Sequence, residues 1–133
     1  MDEPLRRRVW QRADHTCEYC RVPQPFDVLP FQVDHIIAEK HHGLTVEENL
    51  ALSCYGCNAY KGPNIAGLDP ETGQLTRLFH PWQDKWDDHF EWNGPVVVGR
   101  TAVRRVTIDV LKINLPERVE HRRQLIAAGV LLG

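Results

Sequence analysis

The chain's four cysteines fall in two pairs, Cys17-Glu18-Tyr19-Cys20 and Cys54-Tyr55-Gly56-Cys57. No other feature constrains the fold as strongly. Each pair has the C-x2-C spacing that lets two thiolates of one tight turn reach a common ion. Four thiolates are the ligand set of a closed, structural zinc site. The stretch between the pairs is longer than the roughly 15–20 residues of a simple zinc ribbon, so further structure is expected inside the clip. That stretch contains Val33-Asp34-His35-Ile36-Ile37 and Glu47-Glu48-Asn49-Leu50, and the second pair runs on into Asn58-Ala59-Tyr60-Lys61-Gly62.

Taken in this order, the motifs resemble the signature of the HNH endonuclease family. The likeness spans Cys17 to Gly62, with Asn58 where the third letter of the family name has His. Leu78-Phe79-His80-Pro81 and His89-Phe90 bear a weaker likeness to small stand-alone bacterial members. The resemblance implies a ββα-metal core and hydrolysis of DNA to a 5′-phosphate and a 3′-hydroxyl. It implies a catalytic set of His35, Asp34, Asn49 and Asn58, with Asp34 and Asn58 holding the catalytic ion. One active site per domain implies nicking of one strand.

The residue types suit that chemistry. A phosphodiester is anionic and resists attack, so cleavage needs an activated water, a cation on the phosphoryl oxygens and help for the leaving oxygen. Imidazole takes a proton from water near neutral pH, provided an acceptor fixes the tautomer through its other nitrogen. Asp34 and Asn58 offer hard oxygens, which suit Mg²⁺ or Mn²⁺ better than zinc. Neighbouring side chains on a regular strand face opposite ways. Asp34 and His35 therefore share a substrate only if the strand twists or ends there, and an irregularity is expected near Ile36 and Ile37. Asn49 is expected to tie the connecting loop to the His35 strand. Lys61, Arg104 and Arg105 are candidate nucleic-acid contacts. His80 is a further active-site candidate, His89 is read as structural, and His41 and His42 as solvated loop residues.

Length and composition fit one domain, 1–133, with the core motif at 17–62 and a supporting hairpin and helices over 63–133. Hydrophobic content of 42% and charged content of 26% are those of an ordinary globular chain. No apolar run reaches a membrane span, and the Arg-rich N-terminus lacks a signal-peptide core. The expectation is a cytoplasmic protein, where paired cysteines serve metals more often than disulfides. A net charge of −2 is not that of a generic DNA binder. Basic charge clusters locally, at Arg6, Arg7, Arg8 and Arg12 and again at Arg100, Arg104, Arg105, Arg118, Arg122 and Arg123, so attraction to phosphate would be local.

The predicted class is α+β: a ββα-metal core clipped by a four-Cys zinc site, with an N-terminal helix and C-terminal helices. Pro4 and the apolar stripe Leu5, Val9 and Ala13 predict a helix over 4–14. Strands are expected at 31–37, 50–53 and 75–79, with the α element at 55–61. A capping box at Thr45 predicts a helical turn before Asn49. Another turn is expected at 84–89. Asn93-Gly94 predicts a hairpin joining 90–92 to 96–98. Residues 101–113 fit a helix or a strand and are read as a helix capped by Thr101. Asn114, Pro116 and Glu117 open a last helix that Gly129 ends. Trp82, Trp86 and Trp92 are expected in the core. The rival to a nuclease is a non-catalytic zinc-containing module that binds nucleic acid or protein, which would need the cysteines but not Asp34 and His35.

Overall fold

A computed structural model describes residues 1–133. Helix α1 (Glu3–Arg12) starts where the Asp2 side chain accepts the Leu5 N–H at 2.8 Å, with Pro4 in the first turn. It buries Leu5 and Val9. Asp14 and His15 then take left-handed conformations, which turn the chain into the first cysteine pair.

Strand β1 (Gln32–His35) pairs antiparallel with β2 (Leu50–Ser53), from Gln32 opposite Ser53 to His35 opposite Leu50. Every residue of β2 is buried. Glu18 holds the other side of β2: its N–H donates to Leu52 O, and its carboxylate accepts the Leu52 N–H. Helix α2 (Tyr55–Lys61) follows, with Cys54 as its N-cap. Together β1, β2 and α2 form the expected ββα unit inside the clip.

The remainder packs against that unit. A hairpin of β3 (Ala66–Leu68) and β4 (Leu75–Arg77) leads through α3 (Trp86–His89) to a second hairpin, β5 (Phe90–Asn93) and β6 (Val96–Gly99). The second hairpin turns at Asn93-Gly94, where Gly94 has φ of +58°. Residues 101–113 resolve as helix α4 (Ala102–Leu111), capped by Thr101, whose hydroxyl accepts the Arg104 N–H at 3.0 Å. Helix α5 (Pro116–Ala127) closes the chain. A single cluster of buried side chains runs from Leu5 to Ile113 and includes all four cysteines. Trp86 links the two parts, its indole N–H donating to Tyr19 O at 2.9 Å.

Several expectations need correction. Strand β1 is shorter than 31–37, because the chain bends at Ile36 and Ile37. Strand β4 stops at Arg77 and pairs with a strand, β3, that was not anticipated. Val46, not Thr45, stands at the N-cap of the turn before Asn49, with no side-chain cap. Asn114 does not cap α5. Its amide instead exchanges hydrogen bonds with the Val97 backbone and accepts from Arg122. Trp82 is 44% exposed and lies under the Arg12 guanidinium, 5.2 Å from its ring centre.

The basic clusters are also partly internal. Arg12 donates to Glu18 and to the backbone oxygens of Glu47 and Leu50. Arg122 is only 1% exposed, and its donors are taken by Pro95 O, Ile113 O and Asn114. Arg118 turns to the cysteines.

Candidate active site and metal centre

The two cysteine pairs converge. The sulphurs of Cys17, Cys20, Cys54 and Cys57 all lie within 4.8 Å of one another, and all four residues are buried. Cys20 and Cys54 sulphurs are 3.7 Å apart, far beyond a disulfide bond. That spacing is what a tetrahedron with metal–sulphur bonds of about 2.3 Å produces. Within each pair the last residue's backbone N–H points at the first sulphur, at 3.5 Å for Cys17 and 3.4 Å for Cys54. Burial pushes the Cys17 and Cys57 thiols up. A divalent cation among the sulphurs offsets that cost by stabilising the thiolates. The donor set therefore fits structural zinc.

A second group gathers where β1 ends. Asp34, His35 and Asn58 line one open cavity of about 360 Å³, together with Ala38, Glu39, Gly62 and Pro63. The strand stops at His35 and the chain bends at once, so successive side chains share this cavity despite strand alternation. His35 Nδ1 lies 4.0 Å from Asp34 Oδ1, too far for a hydrogen bond. His35 Nε2 is 2.8 Å from the Thr45 hydroxyl. Asp34 and Asn58 both line the cavity, and a carboxylate with an amide oxygen is a hard donor pair of the kind that could hold Mg²⁺ or Mn²⁺.

Asn49 holds the loop that carries Thr45. Its Oδ1 accepts the Ile37 N–H at 2.8 Å, and its Nδ2 donates to Ile37 O at 3.0 Å and Leu44 O at 2.9 Å. The side chain is buried, so it clamps both ends of the 38–44 loop and does not face the cavity. Gly43 makes the clamp possible: a Cβ there would collide with the Ile37 carbonyl.

The other candidates are placed elsewhere. Lys61 is 3% exposed, and its ammonium donates to His35 O at 3.3 Å. Burial lowers its pKa and the Asp34 carboxylate opposes the shift. It lines a separate pocket with Ile36, Ile37 and His80. Arg105 is clamped by Asp69 through bonds of 2.9 and 2.7 Å. Arg104 and Arg105 line a different depression with Pro70, Glu71 and Asp109. His80 Nδ1 accepts the Gln83 N–H, and burial lowers its pKa. His89 Nδ1 meets the Thr101 hydroxyl at 2.8 Å and its ring packs on Phe79.

Sequence reasoning missed three residues. Glu39 lines the Asp34 cavity, Thr45 meets His35, and Arg118 meets Cys57. A carboxylate four residues beyond His35 was a usable signal for Glu39. By its spacing Thr45 reads as a helix cap. Nothing in the spacing marks Arg118.

Residues 17–64 match the family model described as HNH endonuclease, so the family resemblance holds over the clip and its contents. The chain is also similar to the Septu protein PtuB of Bacillus thuringiensis, at 22% identity over 129 residues covering 96% of this chain. It spans about half the length of that relative, 48%. No solved structure matches. No helix is long and apolar enough to cross a membrane. The family match points to a nuclease.

Proposed function

We propose that the HNH endonuclease domain of residues 17–64 makes this chain a metal-dependent endonuclease. Its substrate is DNA, nicked one strand at a time, and residues 1–133 act as one cytoplasmic unit. One observation carries the reading: Asp34, His35 and Asn58 meet at one open cavity, beside a thiolate cage that uses none of them.

His35 is the general base. With Nε2–H donating to the Thr45 hydroxyl, Nδ1 keeps its lone pair and takes a proton from water. The hydroxide attacks phosphorus, the bond to the 3′ oxygen breaks, and that oxygen takes a proton from solvent water while His35 returns its own to solvent. The products are a 5′-phosphate and a 3′-hydroxyl. Asp34 and Asn58 would hold Mg²⁺ or Mn²⁺, which polarises the phosphoryl oxygens and offsets their charge. Asn49 fixes the loop that places Thr45, so it positions His35 and does not touch substrate.

Incubation of supercoiled plasmid with the purified chain and Mg²⁺ or Mn²⁺ tests this, with single-stranded DNA and RNA run alongside. Nicked circles are expected, and His35→Ala should slow their formation by roughly 10²–10⁴-fold while the protein stays folded and zinc-loaded. Substantial cleavage by His35→Ala, with contaminating nuclease excluded, overturns the assignment of His35. Cleavage of RNA alone overturns the substrate. A folded, zinc-loaded protein that cuts nothing supports the non-catalytic binding module instead.

A further inference from the structure

We infer that Arg118 is part of the metal centre: its guanidinium offsets half of the net charge of the zinc-loaded thiolate cage and slows the loss of zinc. Zinc with four thiolates carries two net negative charges, and this cage is buried. Such a group needs a cation or hydrogen-bond donors close to the sulphurs. Arg118 supplies both. Its Nη2 lies 3.0 Å from the Cys57 sulphur and 3.7 Å from the Cys54 sulphur.

The guanidinium is also fixed from its other side. Nη1 donates to Leu111 O at 2.8 Å and to Lys112 O at 3.0 Å, the carbonyls that end α4. A helix C-terminus carries partial negative charge, so the cation lies between two negative groups. Gly56, inside the second cysteine pair, leaves the room. A Cβ there would come within 3.3 Å of the Arg118 Cζ. Arg122, one turn further along α5, donates no hydrogen bond to the sulphurs, because its donors end on Pro95 O, Ile113 O and Asn114.

Two consequences follow. Hydrogen bonds and a nearby positive charge draw electron density from the Cys57 and Cys54 sulphurs, which makes them poorer nucleophiles and slower to alkylate. The loaded cage in turn fixes the start of α5. This inference depends on zinc in the cage and not on the nuclease reading.

The test uses the full zinc-loaded chain as wild type, Arg118→Gln, Arg118→Lys and Gly56→Ala. Zinc transfer to a chromogenic chelator and alkylation by N-ethylmaleimide are timed, and circular dichroism checks the fold. Arg118→Gln should release zinc and react about 10–100-fold faster. Arg118→Lys should be intermediate, since it keeps the charge and loses the planar fork. Gly56→Ala should shift both rates the same way by less, because its Cβ presses on the guanidinium. In cobalt-substituted protein, the sulphur-to-cobalt charge-transfer band should move to longer wavelength in Arg118→Gln. A purely structural Arg118 would lower thermal stability without moving that band. Release rates and band position unchanged in folded Arg118→Gln overturn the inference. If Arg118→Gln does not fold, unchanged rates in both Arg118→Lys and Gly56→Ala overturn it.

Discussion

The Thr45 hydroxyl illustrates how one side chain's role depends on what surrounds it. By spacing alone it is a helix cap, four residues before a buried Asn. In the fold it sits 2.8 Å from His35 Nε2, on a loop that Asn49 clamps through Ile37 and Leu44. If it fixes the tautomer of His35, loss of the hydroxyl should cost roughly the worth of one hydrogen bond, about tenfold in nicking rate. Thr45→Val should show that loss with zinc content and melting temperature nearly unchanged, and Thr45→Ser should recover most of it. Equal rates for wild type and Thr45→Val would remove Thr45 from the site. Asn49→Ala is expected to do more. It leaves the Ile37 N–H and two carbonyls without partners, at about 1–3 kcal/mol for a buried unsatisfied group, and it frees the loop. Thermal unfolding beside the nicking assay should show both losses.

At the scale of elements, local signals were legible where no distant partner competed for them. Pro4 and Asp2 start α1, Thr101 caps α4, and Asn93-Gly94 turns the β5–β6 hairpin, all as their residue types dictate. The failures share a cause. Asn114 and Thr45 have capping chemistry, yet Arg122 and the Val97 backbone claim one and His35 claims the other. Strand β3 was missed because Ala66-Gly67-Leu68 has little strand propensity. Gly67 is there for packing: a Cβ would come 2.8 Å from Val110 Cγ2 on α4. Arg105, a candidate phosphate contact by its charge, also ties the β3–β4 turn to α4 through buried Asp69.

That ion pair makes a pH prediction. Hydrogen bonds from Arg105, helped by the Glu71 N–H and the Thr72 hydroxyl, hold the Asp69 carboxyl well below the usual carboxylate range, against the opposing effect of burial. A carboxyl depressed on folding stabilises the fold above its unfolded value, about 3.9. The stabilisation disappears as the pH falls toward the folded value. Asp69→Asn should therefore melt lower than wild type at pH 7, and the gap should narrow below about pH 4. A gap that stays constant across that window would show that the ion pair does not set the acid response.

For the whole molecule, the clip builds the site that it does not enter. The cysteines gather the first turn after α1 and the start of α2, and this closes β1 and β2 between them. The end of β1 then opens onto the cavity of Asp34, His35 and Asn58. The paired cysteines and the order of motifs made this arrangement legible in the sequence. Thr45 and Arg118 were not legible, because each acts through a contact that only the folded chain creates, whereas the spacing of Glu39 from His35 was a signal that could have been read. Soft sulphur and hard oxygen donors stand apart, so the two ions should behave independently: zinc retained through purification, Mg²⁺ or Mn²⁺ weakly held and exchangeable. The direct measurement is zinc content by mass spectrometry beside plasmid nicking during a Mg²⁺ titration, for wild type and Asp34→Ala. Both proteins should carry close to one zinc per chain, with nicking that rises with Mg²⁺ in wild type and stays absent in Asp34→Ala. Loss of zinc from Asp34→Ala, or activity that follows zinc content and ignores Mg²⁺ and Mn²⁺, would contradict the separation of the two sites.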